Sequence, residues 1–230
     1  MTAALRELWE REATAYDAAY DDPGRRGRLV RARLETAARL LGEGPGEALD
    51  AGMGGGRLCA ELDRRGWTVS GTDASEAMVA LARARLPHRR DALLVAPIEA
   101  LPFPDASFDA VSALGVLEYA SDVACALREL ARLLRPGGRA VVSFPGFGAL
   151  PVRARRRLVY PVLCLGKRLL PVGRAVPPPP RHPLREPAFL ELVRAAGLAV
   201  ARVERLGGDG RRRGPVLAVQ IVVSAGKERA

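Results

Sequence analysis

Apolar residues recur three and four positions apart over the first forty or so residues, with Leu29, Leu34, Ala38 and Leu41 marking the second half of that stretch. The pattern predicts two helices, 2–20 and 25–42, interrupted by Asp21, Asp22, Pro23 and Gly24, residues that end one helix before another begins. From Glu47 the period changes. EALDAG, WTVSGTD, DALLVA, FDAVSAL and RAVVSF are short apolar runs, while 57–65, 76–86 and 121–134 between them keep helical spacing. Strand and helix in alternation build right-handed βαβ units, and those give a parallel sheet with helices on both faces.

After Phe144 this rhythm breaks. A basic, apolar-rich stretch leads into four consecutive prolines, Pro177 to Pro180, which form an extended spacer, so the segment reads as an insertion. Regular structure resumes with a helix over 186–196, closed by Gly197, and with LAVARVERL and VLAVQIVVSA, whose alternation marks strands. GGDGRRRGP would join them as a hairpin.

The balance of 48% hydrophobic and 27% charged residues is that of a globular protein, and 230 residues make one domain. No run reaches the roughly 18 apolar residues that a membrane helix needs, and MTAALRELWERE is unlike a signal peptide, so a cytoplasmic location is expected. Cys59, Cys125 and Cys164 are far apart and form no CxxC pair, which points to neither a disulfide framework nor a metal site. Charge is unevenly placed. Nine basic residues and no acidic one lie between Arg153 and Arg185, so this segment holds +9 of the net +10.

Candidate chemistry begins where the first strand runs from Asp50 into Gly52, Gly54, Gly55 and Gly56. Glycine lets the backbone approach a ligand closely. A dinucleotide fingerprint, GxGxxG, needs its third glycine where this chain has Arg57, or Cys59 if the count starts two residues later. Nicotinamide chemistry is therefore disfavoured, and the spacing present is acid-x-G-x-G-x-G.

LDAGMGGGR, followed by WTVSGTDAS, EALPFPDASFDAVSALGVLEY and LRPGGRAVVSF, resembles the class I S-adenosylmethionine-dependent methyltransferases of the small-molecule type, closely over residues 15–145. The resemblance implies a doubly wound, mostly parallel α/β sheet of seven strands with the last antiparallel, N-terminal helices and a helical insertion after the fifth strand. It divides the chain into a helical cap (1–42), a cofactor-binding core (46–145), a basic lid or insertion (146–185) and a C-terminal helix with its hairpin (186–226). It also implies S-adenosylmethionine as cofactor, with Asp50, Gly52, Met53 and Gly54 around the methionine end. Asp73 would accept hydrogen bonds from both ribose hydroxyls, the other reading being a helix cap, for which Ser75 is better placed. Ala74 and Met78 would line the adenine, and Leu114 and Gly115 would lie under the sulfonium. Where the family has an acid facing the adenine amino group, in a pattern like GDAEALPF, this chain has APIEALPF. Pro97 replaces the acid, leaving the Ile98 amide, beside Glu99, as the adenine donor.

Methyl transfer asks chiefly for alignment, with a base where the nucleophile carries a proton. Glu118 and Tyr119, after the fourth strand, and His182, at the return of the insertion, are the catalytic candidates. Helix capping, core packing and a solvated linker position are their respective plain alternatives. Tyr16, Tyr20 and Phe147 are candidate walls of the acceptor site, with Arg155 and Arg156 reaching an acidic acceptor. The stretch 152–170 has three open readings: a substrate lid, a peripheral contact with an anionic membrane, or a solvated helix. A small-molecule substrate and a monomer or homodimer are expected, and no nucleic acid, because no aromatic platform accompanies the basic charge to suit that partner. A protein that binds the cofactor without methylating is the rival function.

Overall fold

The computed structural model describes residues 3–145, 185–207, 210–211 and 220–227. Two helices, α1 (Ala3–Ala18) and α2 (Arg25–Leu41), precede β1 (Glu47–Ala51). There follow α3 (Arg57–Arg64), β2 (Thr68–Asp73), α4 (Glu76–Arg85), β3 (Leu93–Val95), β4 (Phe108–Ala113), α5 (Val123–Leu133) and β5 (Leu134–Pro145). The C-terminal part supplies α6 (Glu186–Ala195), β6 (Ala199–Leu206) and β7 (Gln220–Gly226).

The seven strands form one sheet in the order β3-β2-β1-β4-β5-β7-β6. The first five are parallel, whereas β7 runs antiparallel to both β5 and β6. Alternate residues of the central strands feed two cores. Leu49, Val111 and Val142 face α5 and α6, with Leu127, Leu130 and Phe189 packed on them. Ala48, Ala110 and Val141 face the other way, toward Ala37, Leu41 and Leu62 of α2 and α3. This double burial explains why the strands read as near-continuous apolar runs.

Three boundaries differ from the periodicity. The strand expected over DALLVA is only three residues long, because Pro87–Ala92 forms a 3-10 turn with proline at its start. The helix expected over 121–134 starts at Val123, where the Asp122 carboxylate accepts the amide of Cys125 at 3.0 Å. β5 begins at Leu134 and carries an irregularity before Arg139, since Phe108 pairs with Leu134 and Ala110 with Arg139. In that interval Gly137 has a φ of 81°. β1 and β4 are the neighbours at which the chain switches direction across the sheet, and the crevice outside their carboxyl ends is the natural ligand site of such a fold.

Candidate active site

The turn after β1 is built around the carbonyl of Thr72 on β2, which accepts the amides of Gly52 at 2.7 Å and Met53 at 2.8 Å. Asp73, the last residue of β2, completes it from the side. Its Oδ2 accepts the amide of Gly54 at 2.9 Å and its Oδ1 that of Ser75 at 3.0 Å. The capping of α4 falls to Ser75, whose Oγ accepts the Met78 amide at 3.2 Å. Asp73 is thus held rigidly by two backbone donors without being spent on a helix end. Burial raises its pKa, opposed by those same amides.

A cleft of about 650 Å³, open mouth included, lies above this turn. Gly52, Gly54, Asp73, Ala74 and Met78 form one side of it, and Pro97, Ile98 and Glu99 another. Leu114, Gly115, Val116 and Tyr119 come from the segment after β4, and Trp9 and Tyr16 from α1. A smaller adjoining space, sharing Tyr16, Gly52, Gly54 and Leu114, reaches Asp50, Met53 and Tyr20.

Most of the residues singled out from the sequence therefore come together, although four do so differently from expectation. Met53 turns its thioether into the core, where a Cβ on Gly71 would lie only 2.3 Å from its sulfur. Tyr20 lies past the end of α1, its ring facing the Arg57 guanidinium at 5.1 Å, and borders the smaller space but not the main cleft. Glu99 lines the cleft, yet its Oε1 is engaged by the amide of Ser121. Glu118 stands on the 3-10 turn Leu117–Tyr119 and is buried behind the cleft wall, at 4% exposure, while its neighbour Tyr119 faces the cleft. Burial pushes the Glu118 carboxyl up to about 7, and its Oε2 has no hydrogen-bond partner. His182, Phe147, Arg155 and Arg156 lie outside the described residues.

Asp50 is buried under the turn, with Oδ1 accepting the Ser112 hydroxyl at 2.7 Å. Desolvation lifts its pKa to about 6 against that hydrogen bond.

Two residues outside any motif also belong to the site's surroundings. Trp9 contributes its ring to the cleft from α1. Arg33 is a guanidinium only 6% exposed, with Nη2 donating to the Tyr16 hydroxyl at 3.3 Å and no ion pair among the described residues. A Cβ on Gly115 would meet its Nη1 at 2.4 Å, so the bare backbone at Gly115, with φ 69°, makes room for it. Burial works against the charge of Arg33, and the surrounding Tyr16, Tyr20 and Glu118 outweigh that and keep it protonated. One signal was available: Val30, Arg33, Ala37 and Leu41 share the buried stripe of α2, and an arginine on an apolar stripe asks for an anionic partner.

Comparison with known proteins agrees with this geometry. A protein-family model described as a methyltransferase domain matches residues 49–142. Demethylmenaquinone methyltransferase of Tropheryma whipplei is 36% identical over 148 residues, covering 61% of this chain and 59% of that protein. Malonyl-[acyl-carrier protein] O-methyltransferase of Serratia marcescens is 34% identical over 151 residues, covering 64% and 54%. The match thus spans little more than half the length of these curated relatives. The crystal structure of 1,6-didemethyltoxoflavin-N1-methyltransferase of Burkholderia thailandensis, with bound 1,6-didemethyltoxoflavin and S-adenosylhomocysteine, superposes with a TM-score of 0.65. At 22% identity, over 98% of this chain and 88% of that one, this likeness is one of fold. Residues 49–142 thus match a methyltransferase domain, and these likenesses support a class I S-adenosylmethionine-dependent methyltransferase.

The residues present suit the cofactor that defines that class. A Cβ on Gly54 would project toward the cleft with nothing nearer than 3.9 Å, which is how a backbone cradle for a ligand is left open. Arg33 is a buried cation that makes no ion pair among the described residues, and so can take a carboxylate. Among the described residues no cluster of histidine, cysteine or acidic side chains could hold a metal ion, and no helix is long and apolar enough to cross a membrane.

Proposed function

We propose that the chain transfers the methyl group of S-adenosylmethionine to an oxygen, nitrogen or carbon of a small, acidic or lipophilic metabolite. The observation that carries this reading is the cleft beyond β1, β2 and β4, where an open glycine turn and the backbone-held carboxylate of Asp73 flank one space. Bound there, the cofactor supplies a methyl group on a positively charged sulfur, an electrophile that needs no further activation.

Asp73 has about four acceptor directions and uses two on Gly54 and Ser75, leaving the rest for the ribose hydroxyls. Arg33 would meet the methionyl carboxylate, and the Ile98 amide the adenine ring, with Ala74 and Met78 beside it. Leu114 and Gly115 form the floor at the sulfur end. On the acceptor side stand Tyr119, Tyr16 and Val116, an apolar and aromatic wall suited to a lipophilic ring. Glu118, buried behind that wall, acts as a positioning residue whose carboxylate steadies the Arg33 guanidinium. Asp50 anchors the turn from beneath through Ser112. The +9 segment 153–185 is assigned to the acceptor as a lid, which would give an acidic substrate its countercharge.

The named activities of the relatives, on demethylmenaquinone and on malonyl-[acyl-carrier protein], define a first panel of acceptors. The test is incubation with methyl-labelled S-adenosylmethionine, a reduced demethylquinone and a set of small carboxylic acids. Label is expected in the extracted product of one acceptor class. Cofactor binding with no label transferred to any of them would favour the non-methylating role.

A further inference from the structure

We infer that Trp9 is a cofactor-binding residue, forming the roof of the adenosine end of the cleft in place of the acidic side chain that Pro97 displaces. The inference rests on S-adenosylmethionine being the occupant of this cleft. Trp9 is half-buried on α1 and lines the same space as Pro97 and Ile98. Its ring is fixed from two directions, edge-on to Tyr16 at 5.2 Å and to Tyr119 at 5.6 Å between centroids. The next residue locks the helix beside the nucleoside. Glu10 accepts the amides of Glu76 at 2.8 Å and Ala77 at 2.9 Å, so α1 caps the first turn of α4 immediately after Asp73 and Ala74.

The indole is thereby pre-ordered before any ligand arrives. Proline at position 97 offers the purine neither a carboxylate nor an amide donor. What remains for the base is the Ile98 amide and the faces of apolar and aromatic groups. Stacking on an indole is insensitive to the edge pattern of a base, and truncating such a ring to alanine costs about 5- to 150-fold in affinity. Trp9 then replaces an edge contact with a face contact.

The experiment titrates S-adenosylhomocysteine and 5′-methylthioadenosine, which lacks the amino-acid end, into wild type, Trp9→Phe and Trp9→Ala by calorimetry, with tryptophan emission recorded in parallel. Trp67, the other of the two tryptophans, is 4% exposed and donates to the Gly42 carbonyl at 3.1 Å, remote from the cleft, so ligand-dependent emission reports on Trp9. Expected are a change in emission on binding to wild type and a roughly tenfold or larger loss of affinity in Trp9→Ala, equal for both ligands. Trp9→Phe, which keeps a ring and the fold, is expected to retain most of the affinity. Affinities within twofold of wild type in both variants would overturn the proposal, as would a loss seen only with S-adenosylhomocysteine. Absence of binding by the wild type itself would instead remove the cofactor reading on which the proposal rests.

Discussion

At the scale of single residues, the candidate site holds Asp73 on two backbone amides and Arg33 on the Tyr16 hydroxyl, and both are proposed to meet the cofactor with their remaining capacity. Asp73→Asn keeps the shape but removes the charge and half of the acceptor capacity. With hydrogen bonds to a charged group contributing about 1.5–3 kcal/mol each, affinity for S-adenosylhomocysteine is expected to fall about 10- to 100-fold by calorimetry. Gly115→Ala would bring a methyl group within 2.4 Å of the Arg33 guanidinium at a positive φ, so weaker cofactor binding and a lower melting temperature should accompany each other. Glu118 gives a pH signature. Its folded pKa of about 7 lies above the ordinary carboxylate value, so the folded state holds the proton longer and stability falls as pH rises from about 4.5 through 7. Glu118→Gln should flatten the change in melting temperature between pH 5 and 8, and an unaltered slope would place the titration elsewhere. Asp50, Gly52 and Gly54 stand out in the sequence because one short motif carries them, and Asp73 because it ends the next strand in a second motif. Arg33 and Trp9 do not, because Trp9 reaches the cleft from α1 and Arg33 backs its Gly115 wall from α2, both tertiary facts, and one arginine is hard to single out in a chain so rich in them.

Among the elements, α1 and the turn after it are joined to the core partly through charge. Asp17 pairs with Arg57 at 3.0 Å and Arg85 at 2.8 Å, and Asp21 pairs with Arg57 at 2.6 Å. Burial raises the Asp17 pKa, but the two guanidinium groups more than offset it and hold the carboxyl below its ordinary value. Asp17 is 14% exposed, so these pairs are screened less than surface ones. Asp17→Asn should loosen α1, seen as about tenfold faster hydrogen exchange over Ala3–Ala18 with β1 and β4 unchanged. Equal protection in wild type and variant would mean that apolar packing alone holds the helix. The order and type of the elements followed from the sequence because a sheet buried on both faces leaves unbroken apolar runs. Their limits did not, at Pro87 and at Gly137, where backbone chemistry overrides the period.

Over the whole molecule, charge and fold divide the work. The described sheet and helices gather the groups proposed to bind the cofactor, whereas the +9 segment 153–185 holds nearly all the net charge. If that segment serves an acidic acceptor, joint neutralisation of Arg155, Arg156 and Arg157 raises the acceptor KM severalfold with little change in kcat; unchanged kinetics with lost binding to anionic vesicles would assign it to a membrane surface instead. Cofactor binding is the premise of every other assignment, and calorimetric titration of S-adenosylhomocysteine into the full chain tests it most directly. One molecule is expected to bind per chain, with affinity strongly reduced by Asp73→Ala and no heat from NAD. No binding of S-adenosylhomocysteine, or undiminished affinity in the Asp73 variant, would contradict the account.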